Sequence, residues 1–469
     1  MFPKTAVLII LTSASPAVSA DWPEWGGDPT KNMISAETPL PLEFSPGEES
    51  DDGTIDAAAG TNCKWVAKLG SESYGTPTIA MGRVLVGTNN ESPRDPKTTG
   101  DRGVVMSFDE RTGAFQWQFT VAKLPGGDDV DWQYLGICSS ALLQNDRGYV
   151  LTNRGEVAAL HLKTGTPAWS YDMIARLGVV PHNITSSSAA RLGNTIFAST
   201  SNGVDGEHEH TAAPDAPALI ALDARSGRLL GKEASGISRR TFHCNWCSPA
   251  IGKVQGGDAV FFGGGDGFLY AFDPTPNADG ILPELWRCDA NPGEYRRTPD
   301  GEPITYGKFK GPSEIIGTPV FVDGKVYVTI GQDPESGDGV GMLSCINADT
   351  GKPVWTYKEI SRSLSTPSVT KGLLYICDYS GRIHCLDAAT GEKKWVHDSL
   401  SRIWGSTLVA DGKIYIGTED SELIILKEGP ELKELGIVEF EAPIYSSPVA
   451  ANRTLYVQTQ THLHAFATK

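Results

Sequence analysis

The feature that most constrains this chain is a ten-residue pattern that returns along its length. Residues 386–395, LDAATGEKKW, are its clearest copy: an apolar run ends at Asp387, a tight turn passes through Thr390 and Gly391, and a second run carries Trp395. FDERTGAFQW keeps the same offset between Asp109 and Trp117. HLKTGTPAW places His161 ahead of Trp169, and INADTGKPVW places Asn347 ahead of Trp355. LDARSGRLLG keeps Asp223 and Gly227 but has Gly231 where the tryptophan belongs. Self-similarity at a fixed offset, spaced by tens of residues, predicts a repeat architecture.

The residue types explain the spacing. An Asp side chain accepts hydrogen bonds from backbone N–H groups two or three residues on. Gly supplies the positive φ of a short hairpin loop. A Trp on the outer strand can lay its flat face over the neighbouring repeat while its N–H finds a carbonyl. The motif therefore reads as structure: it joins two strands and docks one repeat on the next.

Each repeat can be laid out as four strands, A to D. Strand A opens on small residues in eight places: Thr76, Ser140, Ser188, Ser248, Thr318, Thr366, Ser406 and Ser447. Eight D strands can be counted, at Trp65, Trp117, Trp169, Leu229, Trp286, Trp355, Trp395 and Leu435. The first D strand precedes the first A strand, and the last repeat has A, B and C but no D. Giving the N-terminal strand to the last repeat solves both problems and removes an open sheet edge. The expectation is an all-β, eight-bladed β-propeller, its ring closed by the N-terminal strand completing the last blade.

Residues 1–20 read as a signal peptide: Lys4, an apolar run, and a small-residue cleavage site at Val18, Ser19 and Ala20. No Cys follows that site, which speaks against a lipid anchor, and the expected location is periplasmic or secreted. Residues 21–62 read as an ordered lead-in followed by a flexible acidic stretch over 48–56, and residues 63–469 as the propeller. The leader's apolar run is too short to span a bilayer, and no other run of about eighteen apolar residues exists. A formal net charge of −17 argues against nucleic acid and anionic membranes as partners. A monomer is expected. Cys345 and Cys385 hold the same repeat position and read as core, Cys377 and Cys385 flank a hairpin and could pair, and Cys244 and Cys247 have redox or metal spacing without a second pair.

In such a blade the A–B and C–D connections share one face, and B–C and D–A the other. The long insertions fall mostly in B–C and D–A, with residues 273–283 an exception, so binding belongs on that face. The mouth of the central channel would be lined by residues just before each A strand and just after each B strand. His182, Asn183, Asn245, Trp246, Trp404 and Gln332 belong to that ring. SRRTFHCNW concentrates Arg239, Arg240 and His243, a possible anion site in an acidic chain. Asp205, Asp333 and Asp378 are the candidate metal ligands or bases; His208 and His210, with Asp205, are a second metal possibility, although an exposed loop histidine pair is more often simply solvated.

The repeat A-x-D-x-x-T-G-x-x-x-W, with WPEWGGD at the expected mature start, resembles the pyrroloquinoline quinone (PQQ) repeat superfamily from Trp22 to the C-terminus. That resemblance implies an eight-bladed propeller. One branch of the superfamily comprises quinoprotein alcohol and glucose dehydrogenases, which hold PQQ and a calcium or lanthanide ion; another is the non-enzymatic lipoprotein of outer-membrane β-barrel assembly. The adjacent cysteines that cover PQQ in the dehydrogenases have no counterpart here, and no Glu, Asn and Asp ligand set can be matched by motif. The expected role is a small ligand or protein partner bound in a central pocket on the long-loop face. PQQ-with-calcium oxidation of an alcohol or sugar, and scaffolding of outer-membrane assembly, are the alternatives.

Overall fold

Each repeat folds into an antiparallel sheet, and eight such sheets stand as the blades of a propeller. This is a computed structural model describing residues 20–468, so all of the expected leader except Ala20 lies outside the described residues. Blade 1 runs from strand A to D as Thr78–Ala80, Arg83–Asn89, Arg102–Asp109 and Phe115–Ala122. Blade 8 takes Val449–Ala451, Thr454–Gln458 and His462–Phe466 from the C-terminal end, and its fourth strand is Cys63–Lys68. The closing ladder pairs His464 with Val66 and Ala465 with Trp65. Helix is confined to short turns such as Met173–Leu177 and Gly293–Arg296.

The turn motif works as its chemistry predicts. Asp387 Oδ1 accepts from the N–H groups of Ala389 and Thr390, both at 3.0 Å, and Gly391 closes the loop at φ +75°. Each docking tryptophan then lies on the turn of the next blade. Trp117 Nε1 donates to the Leu162 carbonyl at 3.0 Å, Trp169 to Ala224 at 3.1 Å, and Trp395 to Gly429 at 3.0 Å. The same contact explains the glycine a second time, because a Cβ on Gly165 would sit 2.3 Å from the Trp117 ring.

Where the tryptophan is missing, another segment takes its place. A Cβ on Gly231 would meet Pro276 at 2.5 Å. The long C–D connection of blade 4 folds back on that strand, with Lys232 N–H donating to Gly280 O at 3.0 Å and Leu282 N–H to Lys232 O at 2.9 Å. The exceptional insertion over residues 273–283 thus replaces the indole.

The small residues opening the A strands form a hydroxyl ring around the axis. Ser140 N–H donates to Ser188 Oγ, Ser188 N–H to Ser248 Oγ, Thr318 N–H to Thr366 Oγ1, Thr366 N–H to Ser406 Oγ, Ser406 N–H to Ser447 Oγ, and Ser447 N–H to Thr76 Oγ1, at 2.8–3.1 Å. Each link joins one blade to the next, so the residue must be small and must carry a hydroxyl.

The lead-in is a strap that follows the inner strands round the axis. It bonds in turn to the innermost strands: Trp22 with Ile79, Pro23 O with Leu143 N–H, Pro29 O with Ile251 N–H, Thr30 O with Phe321 N–H, and Asn32 with Val369. Its Ile34–Ser35 segment pairs in parallel with Val409 and Ala410, giving blade 7 a fifth strand. Lys31 is wholly buried and forms an ion pair with Glu24. The acidic stretch expected to be flexible is instead a small hairpin, Glu48–Glu49 against Ile55–Asp56. Lys68 Nζ donating to Asp52 O at 2.8 Å fastens it to blade 8.

All eight cysteines are free and buried. Cys377 and Cys385 both lie in the sheet of blade 6, but Cys377 stands opposite Ile383 and Cys385 opposite Tyr375.

Glu441 ties the link before blade 8 to that blade, taking a bond from Thr459 Oγ1 at 2.6 Å and lying 3.2 Å from His464 Nε2. Burial alone would raise its pKa, but the contacts from His462, His464 and Thr459 outweigh it and hold the carboxyl well below its ordinary value. A carboxylate depressed in the folded state stabilises fully above its unfolded pKa of about 4.3 and loses that contribution as pH falls through the folded value. Glu441→Gln is therefore expected to flatten the fall of stability below about pH 4.3. Denaturant midpoints across that range check it; an unchanged slope would refute it.

Candidate functional site

The strap, the hydroxyl ring and the long-loop connections enclose a cavity of about 430 Å³ on the propeller axis. Its lining includes the opening Ser or Thr of all eight A strands. The Trp25 indole forms its floor and donates to Thr318 Oγ1 at 2.9 Å. Because the linked hydroxyls already accept a backbone N–H, their protons remain for a ligand.

The wall is aromatic. Tyr74 stacks on Tyr445 at 5.1 Å and 8°, and Trp404 lies 4.8 Å from Tyr445. Glu419 fixes the Trp404 indole, accepting its N–H at 3.3 Å. Trp246 lines the cavity too, its N–H given to Ile184 O at 3.0 Å. Of ionisable acids or bases with a formal charge at neutral pH, the lining carries Asp333 and Glu335, and no Lys or Arg.

Behind Trp246 three imidazoles meet. His182 belongs to the D–A link entering blade 3, His208 to the B–C loop of blade 3, and His243 to the link entering blade 4. Their ring centroids are 4.5–5.0 Å apart, and one ligand nitrogen from each lies within 4.8 Å of the others. His182 Nδ1 stands 2.9 Å from Val204 O, so it carries the proton and donates, and Nε2 is left as a bare lone pair. Burial pulls the pKa of His182 down, and that of His243 further, so both rings are neutral near pH 7. Beyond His243, the Tyr306 hydroxyl lies 3.1 Å from Glu314 and 2.9 Å from Asp333. One phenolic proton cannot serve both carboxylates. Burial, with Asp333 nearby, pushes the Glu314 pKa well up.

The other residues singled out in the sequence are dispersed. Asn183 lines the cavity. Arg239 is exposed and paired with Asp215, and Arg240 is held by Asp266 at 3.0 Å and the Tyr270 hydroxyl at 2.7 Å. Asn245 is buried and satisfied by Asn202 O, Thr241 Oγ1 and Gly265 N–H. Gln332 likewise braces a loop through Gly307 N–H and Pro312 O. Asp205 caps its own loop at the N–H groups of Glu209 and His210. Asp378 is occupied by Ser361 N–H, Ser380 Oγ and His384. Among the described residues the one cluster with metal-ligand geometry is the three histidines. His208 thus stands with His182 and His243 in that cluster, a grouping that needs three separate loops.

PQQ with calcium does not suit these surroundings. PQQ is a tricarboxylate, and the cavity presents carboxylates rather than cations. Calcium takes six to eight oxygen ligands, whereas the gathered donors are imidazole nitrogens.

The family described as outer membrane protein assembly factor BamB matches residues 53–275 and 265–437. The alcohol dehydrogenase (quinone), dehydrogenase subunit, of Gluconobacter oxydans (strain 621H) is 29% identical over 266 residues, which are 46% of this chain and 31% of that protein. This chain therefore spans 31% of the length of the curated relative it matches. Among solved structures, BamB from Moraxella catarrhalis aligns with a TM-score of 0.56 at 16% identity, over 87% of this chain and 97% of that one. A europium-containing methanol dehydrogenase aligns with a TM-score of 0.51 at 11% identity, over 96% and 98%. At those identities the structures speak for the fold alone.

Proposed function

This chain belongs to the PQQ-like repeat family described as outer membrane protein assembly factor BamB, and on that premise we propose that it is an extracytoplasmic binding propeller whose axial cavity takes a small, flat, uncharged or cationic aromatic ligand. The lining of the cavity carries this reading. Tyr74, Tyr445 and Trp404 offer a stacking wall, the hydroxyl ring offers donors, and Asp333 and Glu335 supply the only formal charges. A pocket of apolar and aromatic walls with a few oriented polar groups is the usual form of a small-molecule site. The leader-like residues 1–20 support a place outside the cytoplasm, and no described helix is long and apolar enough to cross a membrane.

Tryptophan fluorescence of the purified chain, titrated with proflavine as a flat cationic probe and separately with PQQ plus calcium, tests the reading. Saturable quenching by proflavine is expected, weakened about tenfold in Trp404→Ala, the loss of one aromatic contact worth about 1.4 kcal/mol. Tight calcium-dependent binding of PQQ without proflavine binding would overturn it in favour of a quinoprotein.

A protein partner on the same face is the second reading. Trp132, Tyr134, Phe309 and Leu400, all in D–A connections, are exposed there, Leu400 at 89%. Such apolar groups near a mouth mark partner surfaces as readily as ligand sites. Capture of a specific extracytoplasmic protein, lost when Phe309 and Leu400 are both replaced by Ser, would favour it.

A further inference from the structure

The three histidines beside the cavity bring one ligand nitrogen each within 4.8 Å of the others. Neither ring nitrogen of His243 has a hydrogen-bond partner, nor has Nε2 of His182, and all three atoms are buried. Buried polar atoms are almost always satisfied, so three orphaned nitrogens on adjacent rings need an explanation. His182 shows the usual preparation of a metal ligand: its far nitrogen donates to a backbone carbonyl, Val204 O, which fixes the tautomer and aims Nε2 inward.

The neighbouring acids point the same way. Glu314 and Asp333 each lie 3.9 Å from His243 Nδ1, and among the described residues His243 is the sole ion-pair candidate of either. A divalent ion on the imidazoles would sit beside both acid groups.

We propose that His182 Nε2, His208 and His243 form a binding site for one divalent first-row transition ion of the type imidazole selects, zinc or copper, with a further coordination position left open. Zinc–nitrogen bonds are about 2.0–2.1 Å long, which sets neighbouring ligand nitrogens about 3.3 Å apart in a tetrahedron. The present spread of up to 4.8 Å must therefore contract, and His208, exposed and on a long loop, is the ligand free to move inward. The three donors come from three separate connections, so the ion would cross-link the blade 2–3, blade 3 and blade 3–4 loops behind Trp246. The site stands whether or not the cavity takes an aromatic ligand.

The full chain without an affinity tag, stripped with EDTA, is titrated with zinc by calorimetry and with cobalt(II) by visible absorption. The expected result is one ion per chain and the intense d–d bands of a low-coordinate nitrogen site. Because His208 is exposed, His208→Ala should leave the fold intact by circular dichroism while weakening zinc binding at least about tenfold, as loss of even outer-shell support does. His182→Gln and His243→Gln should each abolish the cobalt spectrum. No stoichiometric uptake of zinc, copper or cobalt by the folded chain would overturn the proposal. So would uptake that survives His208→Ala unchanged.

Discussion

Lys31→Ala is expected to destabilise the chain by about 3–5 kcal/mol, the cost of leaving the partner of a buried ion pair uncompensated. Lys31 is wholly buried, in the strap along the inner strands, and its partner Glu24 is nearly so. The turn between them is tightly made: Gly27 N–H bonds to Glu24 O at 2.9 Å and Lys31 N–H to Asp28 O at 3.1 Å. A Cβ on Gly26 would lie 2.5 Å from the Lys31 Cα. Removing the ammonium therefore leaves the nearly buried Glu24 carboxylate without its partner. The paired replacement Glu24→Gln with Lys31→Met removes both charges and should recover most of the loss, since apolar or neutral substitutes for a buried pair are often tolerated. Denaturant midpoints of the two variants decide it. A loss below about 1 kcal/mol in Lys31→Ala would mean that Glu24 finds another partner.

That prediction concerns a feature the sequence does not display. Strand alternation, the Asp–Gly turn and the docking tryptophan are local, and they recur, so each copy corroborates the others. Ring closure is legible too, because the first D strand precedes the first A strand and the last repeat lacks its D. The strap has no such signature. Trp22, Trp25 and Ile34 sit in a Pro- and Gly-rich segment without periodicity, and their partners, Ile79, Thr318 and Val409, are scattered through the chain. The small residues opening each A strand are visible as positions, but their hydroxyls acquire a purpose only when the next blade is present.

The site divides in the same way. Asn183, Trp246 and Trp404 follow from propeller geometry, which brings the residues preceding A strands to the channel mouth, and all three line the cavity. Arg239 and Arg240 look like free cations in a linear sequence, yet Asp215 and Asp266 neutralise them from more than twenty residues away. His208 has His210 and Asp205 as its sequence neighbours, whereas in space its neighbours are His182 and His243. Residue type and spacing therefore locate the mouth, and loop packing decides which groups meet there.

The second large effect is expected from Trp117→Ala, at about 3–5 kcal/mol. The indole is nearly buried between blades 1 and 2, its N–H bonded to Leu162 O, and the turn glycine Gly165 is pressed against its face at φ +68°. Truncation opens a cavity bounded by a rigid turn that cannot collapse, so little of the loss is recovered by relaxation. Gly165→Ala tests the other half of the same contact. It adds a strained left-handed alanine, about 1–2 kcal/mol, to a clash with the ring. The two substitutions share one contact, so their effects should fall short of additivity when combined. At blade 3 the same interface is built from Pro276 and the folded-back 273–283 connection, so deleting that connection should cost about as much as losing a tryptophan. Urea denaturation of the two single variants, of their combination and of the deletion measures this. Full additivity of Trp117→Ala and Gly165→Ala would show that turn and indole stabilise the ring separately, and the docking account of the repeat would fall.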